Sequence, residues 1–464
     1  MTINSKSIQA YQLLHNGVLA LGRAEQQGIR VDTEYAEKKK HRLTKKIERL
    51  ENQLYQTKFY KHWSHHSRSK PNINAPLQLA HFLYNVKKLE PIKTTPSGQG
   101  ATDDESLKQL NIPELNDILE IRKLRKIRDT YLDAFLREQV NGYIHPSFNL
   151  HLVRTYRSSS DRPNFQNIPI RDKEAMQTVR KALYPRPGHQ LLEVDYSGLE
   201  VRIAACYHQD PRMLKYINNP ASDMHTDMAK QIFKFPKLDK TLPEYKVLRD
   251  AAKNGFVFPE FYGDYYKNCA RNMACKWGEL PQSRWEAGQG IELSEMVLSE
   301  HLISKGIQSY KQFEEHVKDI EEDFWTNRFP DYAKWKKRWW STYQKHGYID
   351  MKTGFRCSGV IGRNDAINYP MQGSAFHCLL WSFIRLDEIM RIEQWDTKLI
   401  EQIHDSILFD VAPDELHHVA KVVKRVTCEE LPKAWDWIIV PLSVDMDLSG
   451  VDESWADKKE FKLN

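Results

Sequence analysis

The stretch Gln190-Leu-Leu-Glu-Val-Asp-Tyr-Ser-Gly-Leu-Glu-Val-Arg-Ile-Ala204 sets the strongest constraint on what this chain can fold into. The apolar run 191–194 reads as a buried strand with Asp195 at its end. From Ser197 the pattern changes: Leu199, Ile203 and Cys206 recur at helical spacing, with Ser197 the expected N-cap. A carboxylate where a strand meets a helix is held on rigid backbone beside amide donors, which suits a metal ion and an anionic substrate. Taken alone, the stretch fits an ordinary serine-capped surface turn equally well. A second carboxylate, far along the chain, tips that balance. In Leu399-Ile-Glu-Gln-Ile-His-Asp-Ser-Ile-Leu-Phe-Asp-Val411, two apolar runs flank His404-Asp405 as in a tight hairpin, with Asp405 at its tip.

These residues carry a resemblance. Asp195-Tyr-Ser-Gly-Leu-Glu-Val-Arg202 resembles motif A of family A DNA polymerases, and Gln402-Ile-His-Asp405 resembles motif C. The most specific match is Thr155-x-Arg157-x-Ser159-Ser160 followed by Pro163-Asn-Phe-Gln-Asn-Ile-Pro169, close to the family segment before motif A. The fold this implies is α+β, a right-hand polymerase with an antiparallel-sheet palm, helical fingers and a helical thumb. The expected division is 1–32 palm, 33–140 thumb, 141–206 palm with motif A, 207–345 fingers with motif B, and 346–464 palm with motif C.

Composition permits this without demanding it. The 464 residues can bury two to four domain-sized cores, and 28% charged against 41% hydrophobic residues is an ordinary globular balance. A net charge of +6, from 68 basic and 62 acidic residues, allows nucleic-acid binding but does not establish it. Six cysteines, at 206, 269, 275, 357, 378 and 428, form no Cys-x-x-Cys and have no histidine pair at zinc spacing, so they read as reduced thiols. No signal peptide or membrane-spanning run is evident, and a cytoplasmic protein of a bacterial or phage-infected cell is expected.

In chain order, 9–30 carries Leu13, Leu14, Val18, Leu19 and Leu21 as a packed helix, then a turn and short extended piece. Residues 33–56 read as a charged helix with Leu43, Ile47, Leu50 and Leu54 in one stripe. That is either a solvated face or a basic arm on a phosphate backbone. The segment 60–71 is basic, aromatic and turn-rich, a mobile tip, and its histidines lack the interleaved acids of a metal site. Residues 91–100 are a loop, Thr102-Asp-Asp-Glu105 a capping box, and 114–139 a second long helix. Alternation over 148–157 suggests a strand. Residues 264–345 are helical, with Trp277, Trp285, Trp325, Trp335, Trp339 and Trp340 mostly in packing. Residues 347–356 signal a hairpin, 364–386 a long helix, and 435–446 a last palm strand.

The resemblance assigns roles. Asp195 and Asp405 are the catalytic carboxylates and, with the Tyr196 carbonyl, the ligands of two Mg²⁺ ions, for which Mn²⁺ is a possible substitute. Glu200 closes the pocket under the sugar against a ribose 2′-hydroxyl, beside Tyr196 in the nucleotide site. Arg249 and Lys253 clamp the triphosphate, Phe258 lies near the sugar and Tyr262 near the template base. Arg157, Gln372 and Asn368 contact the duplex, and His404 supports the primer terminus. Two departures stand out. Motif C has Ser406 where a second acid is usual. The step from Lys253 to Phe258 is one residue longer than usual, with Pro259 in place of glycine, so a kink or bulge is expected near 255–259. That leaves Phe256 or Val257 as rivals of Phe258, and Asn254 as a rival of Lys253.

The implied activity is template-directed addition of dNTPs to a primer 3′-hydroxyl. The implied partners are primer-template DNA and dNTPs, with no membrane. A monomer is expected, with room for a processivity factor or a separate exonuclease, since a thumb starting near residue 33 leaves no space for a proofreading domain ahead of it. A single-subunit RNA polymerase shares this palm, but Glu200 and the 155–169 segment argue against it. A two-aspartate nuclease or an inactive DNA-binding protein is the alternative from another class.

Overall fold

The computed structural model describes residues 5–463 apart from 68, 96, 171, 220 and 277–290. Trp277 and Trp285 therefore lie outside the described residues. The chain divides into two compact units, Met1–Lys45, Arg125–Asn218 and Lys334–Asn464 forming one, and Lys46–Leu124 with Asn219–Ala333 the other.

The first unit is built on a five-stranded antiparallel sheet. Its order is Lys459–Glu460, Val444–Leu448, Gln190–Tyr196, Ser406–Val411, Lys398–Ile403. The central strand carries the apolar run that the sequence marked: Leu191, Leu192 and Val194 are buried, as are Ile407, Leu408 and Phe409 beside them. The helix Arg363–Glu393 buries Phe376, Leu379, Phe383 and Leu386, and the Tyr196 hydroxyl pairs with Ser382 on it at 2.7 Å. The expected hairpin at 347–356 forms between Tyr348–Asp350 and Arg356–Ser358. Among the described residues no helix is long and apolar enough to cross a membrane.

Several local expectations are corrected here. The first helix, Ser5–Gln27, buries Ala10, Leu13, Ala20, Leu21 and Ala24, whereas Val18 and Leu19 are exposed. Leu13 and Leu21 pack as expected, and the alanines complete that face. The strand expected over 148–157 is only Ser147–Asn149, paired with Ser159–Asp161; an irregular loop lies between. The last long strand starts at Val444, not 435. Ser197 is not the cap of the motif A helix. Gly198 is, in the left-handed region at φ 61°, while the Ser197 hydroxyl donates to Asp445 at 2.8 Å.

The second unit is helical. The first half of the segment 60–71 belongs to a helix, Lys58–His65, because Phe59, Tyr60 and Trp63 fall on one buried side. Phe59 and Trp63 meet Phe82 at 5.2 and 5.8 Å between ring centroids. The next cap is Asp103, not Thr102: its carboxylate accepts from Ser106 N at 3.0 Å. An aromatic core of Phe256, Phe261, Phe324 and Phe329 holds the helices of 219–333, with Phe324 5.4 Å from Phe256 and 4.9 Å from Phe329. Of the tryptophans expected in packing, Trp325 donates to the buried Glu260 at 2.8 Å. In the first unit Trp335 stacks on Trp339 at 5.0 Å.

Candidate active site

Antiparallel pairing fixes the two aspartates. Ser406 stands opposite Asp195 in the ladder, and Tyr196 N donates to the Asp405 carbonyl at 3.2 Å. Asp405 therefore sits at the turn beside the end of the Asp195 strand. The turn itself needs His404 in the left-handed region, at φ 51°. Asp195 is open to solvent on its outer side. Desolvation by the surrounding protein, then the Asp405, Glu193 and Asp445 carboxylates, push its carboxyl up to about 6. Burial also raises Asp405, against the pull of Arg157.

Ser406, in the place of a second acid, is buried and donates to Ile403 O at 2.9 Å, so it contributes no ligand. Among the described residues no group of three or more His, Cys, Asp or Glu side chains is arranged to hold a metal ion. The donor set is two carboxylates plus main-chain oxygens. Carboxylates pressed together and reluctant to ionise are relieved by a hard divalent cation, and an all-oxygen set suits one. Tyr196 can serve only through its main chain, because its ring is buried and its hydroxyl engaged with Ser382.

The 155–169 segment is tied to this hairpin through Gln402. The Gln402 carbonyl oxygen accepts from Ser158 Oγ and from Gln166 Nε2, and its own Nε2 donates to His404 O at 2.7 Å. Tyr156 takes φ 57°, unusual for a residue with a bulky side chain, and is held there by Phe355 at 4.8 Å and by donation to Arg356 O at 3.1 Å. Arg157 then reaches Glu200 at 3.4 Å and lies close enough to His404 and Asp405 to influence both. Asn368 and Gln372 lie one turn apart on the helix Arg363–Glu393. Next to them Gly373 lets that helix approach the loop: a Cβ there would stand 2.6 Å from Thr155 O.

In the second unit the extra residue of motif B has a definite place. Lys253–Val257 is one π-helical turn between the helices Tyr245–Ala252 and Phe258–Phe261, with Phe258 N bonded to Lys253 O. A π turn holds one residue more than an α turn, so the insertion is absorbed and the face is kept. Lys253 lies 5.3 Å from the Phe258 ring, and Phe258 lies 6.3 Å from Tyr262. Phe256 and Val257 are fully buried and Asn254 points to solvent, donating to Asp250 O at 3.0 Å. That geometry puts Phe258, rather than the buried Phe256 and Val257, beside Lys253 and Tyr262.

Arg249 is anchored by Asp223, Nε to Oδ2 at 2.7 Å, with Tyr245 and Thr226 also donating to that oxygen. Burial alone would raise the Asp223 carboxyl, but the Arg249 hydrogen bond and those from Thr226 hold it well below the usual range. His225 was not singled out from the sequence. Its ring meets Phe258 at 5.6 Å, its Nδ1 is buried without a hydrogen-bond partner among the described residues, and burial followed by Arg249 and Lys253 pushes it down to about 4. Asp445 was missed too. Only the strand register, which places it opposite Asp195, reveals it.

A family model described as DNA polymerase family A matches residues 33–457. The chain is 29% identical over 408 residues to DNA polymerase I of Caldicellulosiruptor bescii, covering 86% of this chain and 42% of that protein. It is 27% identical over 449 residues to DNA polymerase I of Geobacillus stearothermophilus, covering 96% and 45%. The chain thus spans less than half the length of these curated relatives. Among solved structures, the POL domain of Pol1 from M. smegmatis, in complex with DNA primer-template and dNTP, matches with a TM-score of 0.73 at 22% identity, over 95% of this chain and 70% of that one. That likeness is one of fold, the α+β right-hand architecture.

Proposed function

This chain belongs to DNA polymerase family A, and on that premise we propose that it is the polymerase region of a DNA-directed DNA polymerase, extending a primer 3′-hydroxyl with dNTPs. The observation that carries the reading is the convergence of Asp195, near the end of its strand, and Asp405, at the turn into the adjacent strand, joined by the Tyr196–Asp405 main-chain bond. Each residue then has a task. Asp195, Asp405 and the Tyr196 carbonyl hold divalent cations, Mg²⁺ with Mn²⁺ as a substitute. Bound there, such ions supply charge neutralisation for nucleotidyl transfer. Arg249, kept in place by Asp223, and Lys253 take the triphosphate. Phe258 takes the sugar and Tyr262 the template base, with His225 a further donor on that face.

Glu200 bars a 2′-hydroxyl, and Arg157 reads the acceptors common to every base pair in the minor groove. Gln372 and Asn368 flank the duplex, and His404 backs the primer end. The palm corresponds to the sheet of the first unit, with 33–140 as thumb and 207–345 as fingers. Primer-template DNA is the partner, the active species is a monomer, and the setting is cytoplasmic.

One assay tests this: a labelled primer-template with Mg²⁺ and, in turn, dNTPs, rNTPs or no nucleotide. Extension with dNTPs alone is the expected result. Extension with rNTPs would mark an RNA polymerase, and shortening without nucleotide a nuclease.

A further inference from the structure

A cavity of about 640 Å³ opens in the first unit, lined by none of the residues assigned to the polymerase site. Its size falls in the roughly 300–1,000 Å³ range of small-ligand pockets. Three tryptophans line it, Trp381, Trp435 and Trp437, all only half-buried. Trp435 and Trp437 stack at 5.6 Å and 24°, and Trp381 lies 6.4 Å from Trp435. Four tryptophans elsewhere use the indole donor. Trp325 donates to Glu260, Trp339 to Ala366 O, Trp395 to Glu393 and Trp455 to Glu193. Among the described residues, none of the three cavity indoles has a protein acceptor.

Facing them, Gln9, Gln12 and Asn16 fall three and four residues apart along the helix Ser5–Gln27, and all three line the cavity. Among the described residues their amides are likewise unpaired. A stripe of amides lining the same cavity as a stacked indole pair offers π faces together with donors and acceptors.

Charge narrows the ligand. Lys352 and Arg385 oppose Glu388 and Asp436 around the rim. Arg385 is committed to Glu388 at 3.3 Å and Glu430 at 3.0 Å. Among the described residues Lys352 has no carboxylate partner, and its ammonium lies 5.5 Å from the Tyr207 ring. Lys352 is thus the one rim cation without a carboxylate bonded to it among the described residues. The Asp436 carboxylate on the same rim leaves room for no more than one anionic group, which rules out a triphosphate.

We infer that this cavity takes a nucleobase carrying a single phosphate, either a mononucleotide or one residue of an unpaired strand. The indole faces stack the base, the amides meet its edge, and Lys352 meets the phosphate. Base stacking on aromatic side chains is tolerant of sequence, which fits a site offering no fixed pattern of buried donors.

The test uses the whole chain labelled with 5-fluorotryptophan and read by ¹⁹F NMR, with Trp381→Phe, Trp435→Phe and Trp437→Phe assigning the three signals. Deoxyadenosine 5′-monophosphate is expected to shift these signals saturably. Gln12→Ala and Lys352→Ala, both changes at accessible side chains, should weaken the effect about five-fold or more. Primer extension by these two variants should stay at the parental rate. If a single-stranded oligo(dA) moves the signals and the monophosphate does not, the base belongs to a strand. Signals unmoved by either probe up to about 10 mM, a concentration well above weak binding, would overturn the inference. So would signals moved by an octaproline peptide alone, the mark of an aromatic groove for an extended peptide.

Discussion

The Arg157 guanidinium lies 3.4 Å from the Glu200 carboxylate, joining the loop before motif A to the helix after it. In the proposed reading, the residue that guards the sugar and the residue that reads the duplex are one ion pair. Both are partly buried, so the pair is less screened than a surface bridge. Removing either partner should disturb the other.

Glu200→Ala should therefore raise the rNTP-to-dNTP ratio of kcat/KM by about ten-fold or more, about 1.4 kcal/mol of lost discrimination. It should also weaken primer-template binding modestly by freeing Arg157. Single-nucleotide incorporation and fluorescence anisotropy measure the two effects. An unchanged ratio would remove Glu200 from the sugar pocket.

Asp195→Asn and Asp405→Asn should each lower primer extension by ~10³-fold or more, the scale of losing charge stabilisation at a reacting phosphate. Anisotropy with the same primer-template should change less than about three-fold, since neither side chain is needed to grip the backbone electrostatically. Equal losses in both measurements would make the aspartates structural.

The raised Asp195 carboxyl sets a pH dependence. With its pKa up to about 6 in the fold and an ordinary value in the unfolded chain, the native state binds more protons between these two values. For this group, then, the metal-free chain gains stability as pH falls through about 6. Divalent cations compete with that proton, so the Mg²⁺ concentration for half-maximal extension should climb over the same interval. Asp445→Asn, which removes a like charge from the paired strand, should move the rise to lower pH. A Mg²⁺ requirement flat from pH 5.5 to 7.5 would contradict this.

Glu401 presents a second buried acid. It is wholly inaccessible, neither carboxylate oxygen has a hydrogen-bond partner among the described residues, and burial, with Glu25 nearby, pushes its pKa far up. Glu401→Gln keeps the shape and removes the ionisation, so it should stabilise the fold by about 1 kcal/mol or more at pH 8, where the unfolded chain gains from ionising, and do little near pH 4. Urea unfolding at the two pH values decides it.

The π turn predicts that deleting Asn254 will be tolerated. Lys253, Phe258 and Tyr262 would then follow at ordinary four-residue steps, on the face that they already share. Extension should stay within about ten-fold of the parent, whereas Lys253→Ala should raise the KM for dNTP by more. A deletion variant that folds by circular dichroism but has lost nucleotide binding would show that the turn is more than accommodation.

What was legible in the sequence was local. The helix Thr33–Gln56 was bounded correctly because its apolar stripe persists, and Leu43, Ile47 and Leu54 are indeed buried. The strand Gln190–Tyr196 and the hairpin at Asp405 announced themselves through apolar runs, and the bulge near 255–259 through a miscounted step. What escaped depended on partners distant in the chain. Ser197 has the right chemistry for a cap, yet Asp445 recruits its hydroxyl. Tyr60 and Trp63 looked like part of a turn-rich tip because Phe82, which Trp63 stacks on, is what makes them a core. His225 and Asp445 have no motif signal of their own; helix packing in one case and strand register in the other give them meaning.

The bond from Tyr196 N to the Asp405 carbonyl involves no side chain. The spacing of the two acids is thus inherited from the peptide ladder and is indifferent to which residues surround it. In the proposed reading, Ser406 or Asp445 can change while the ladder keeps the two carboxylates in register. Drift in the shell and permanence at the centre can coexist in one lineage because the ruler is made of backbone.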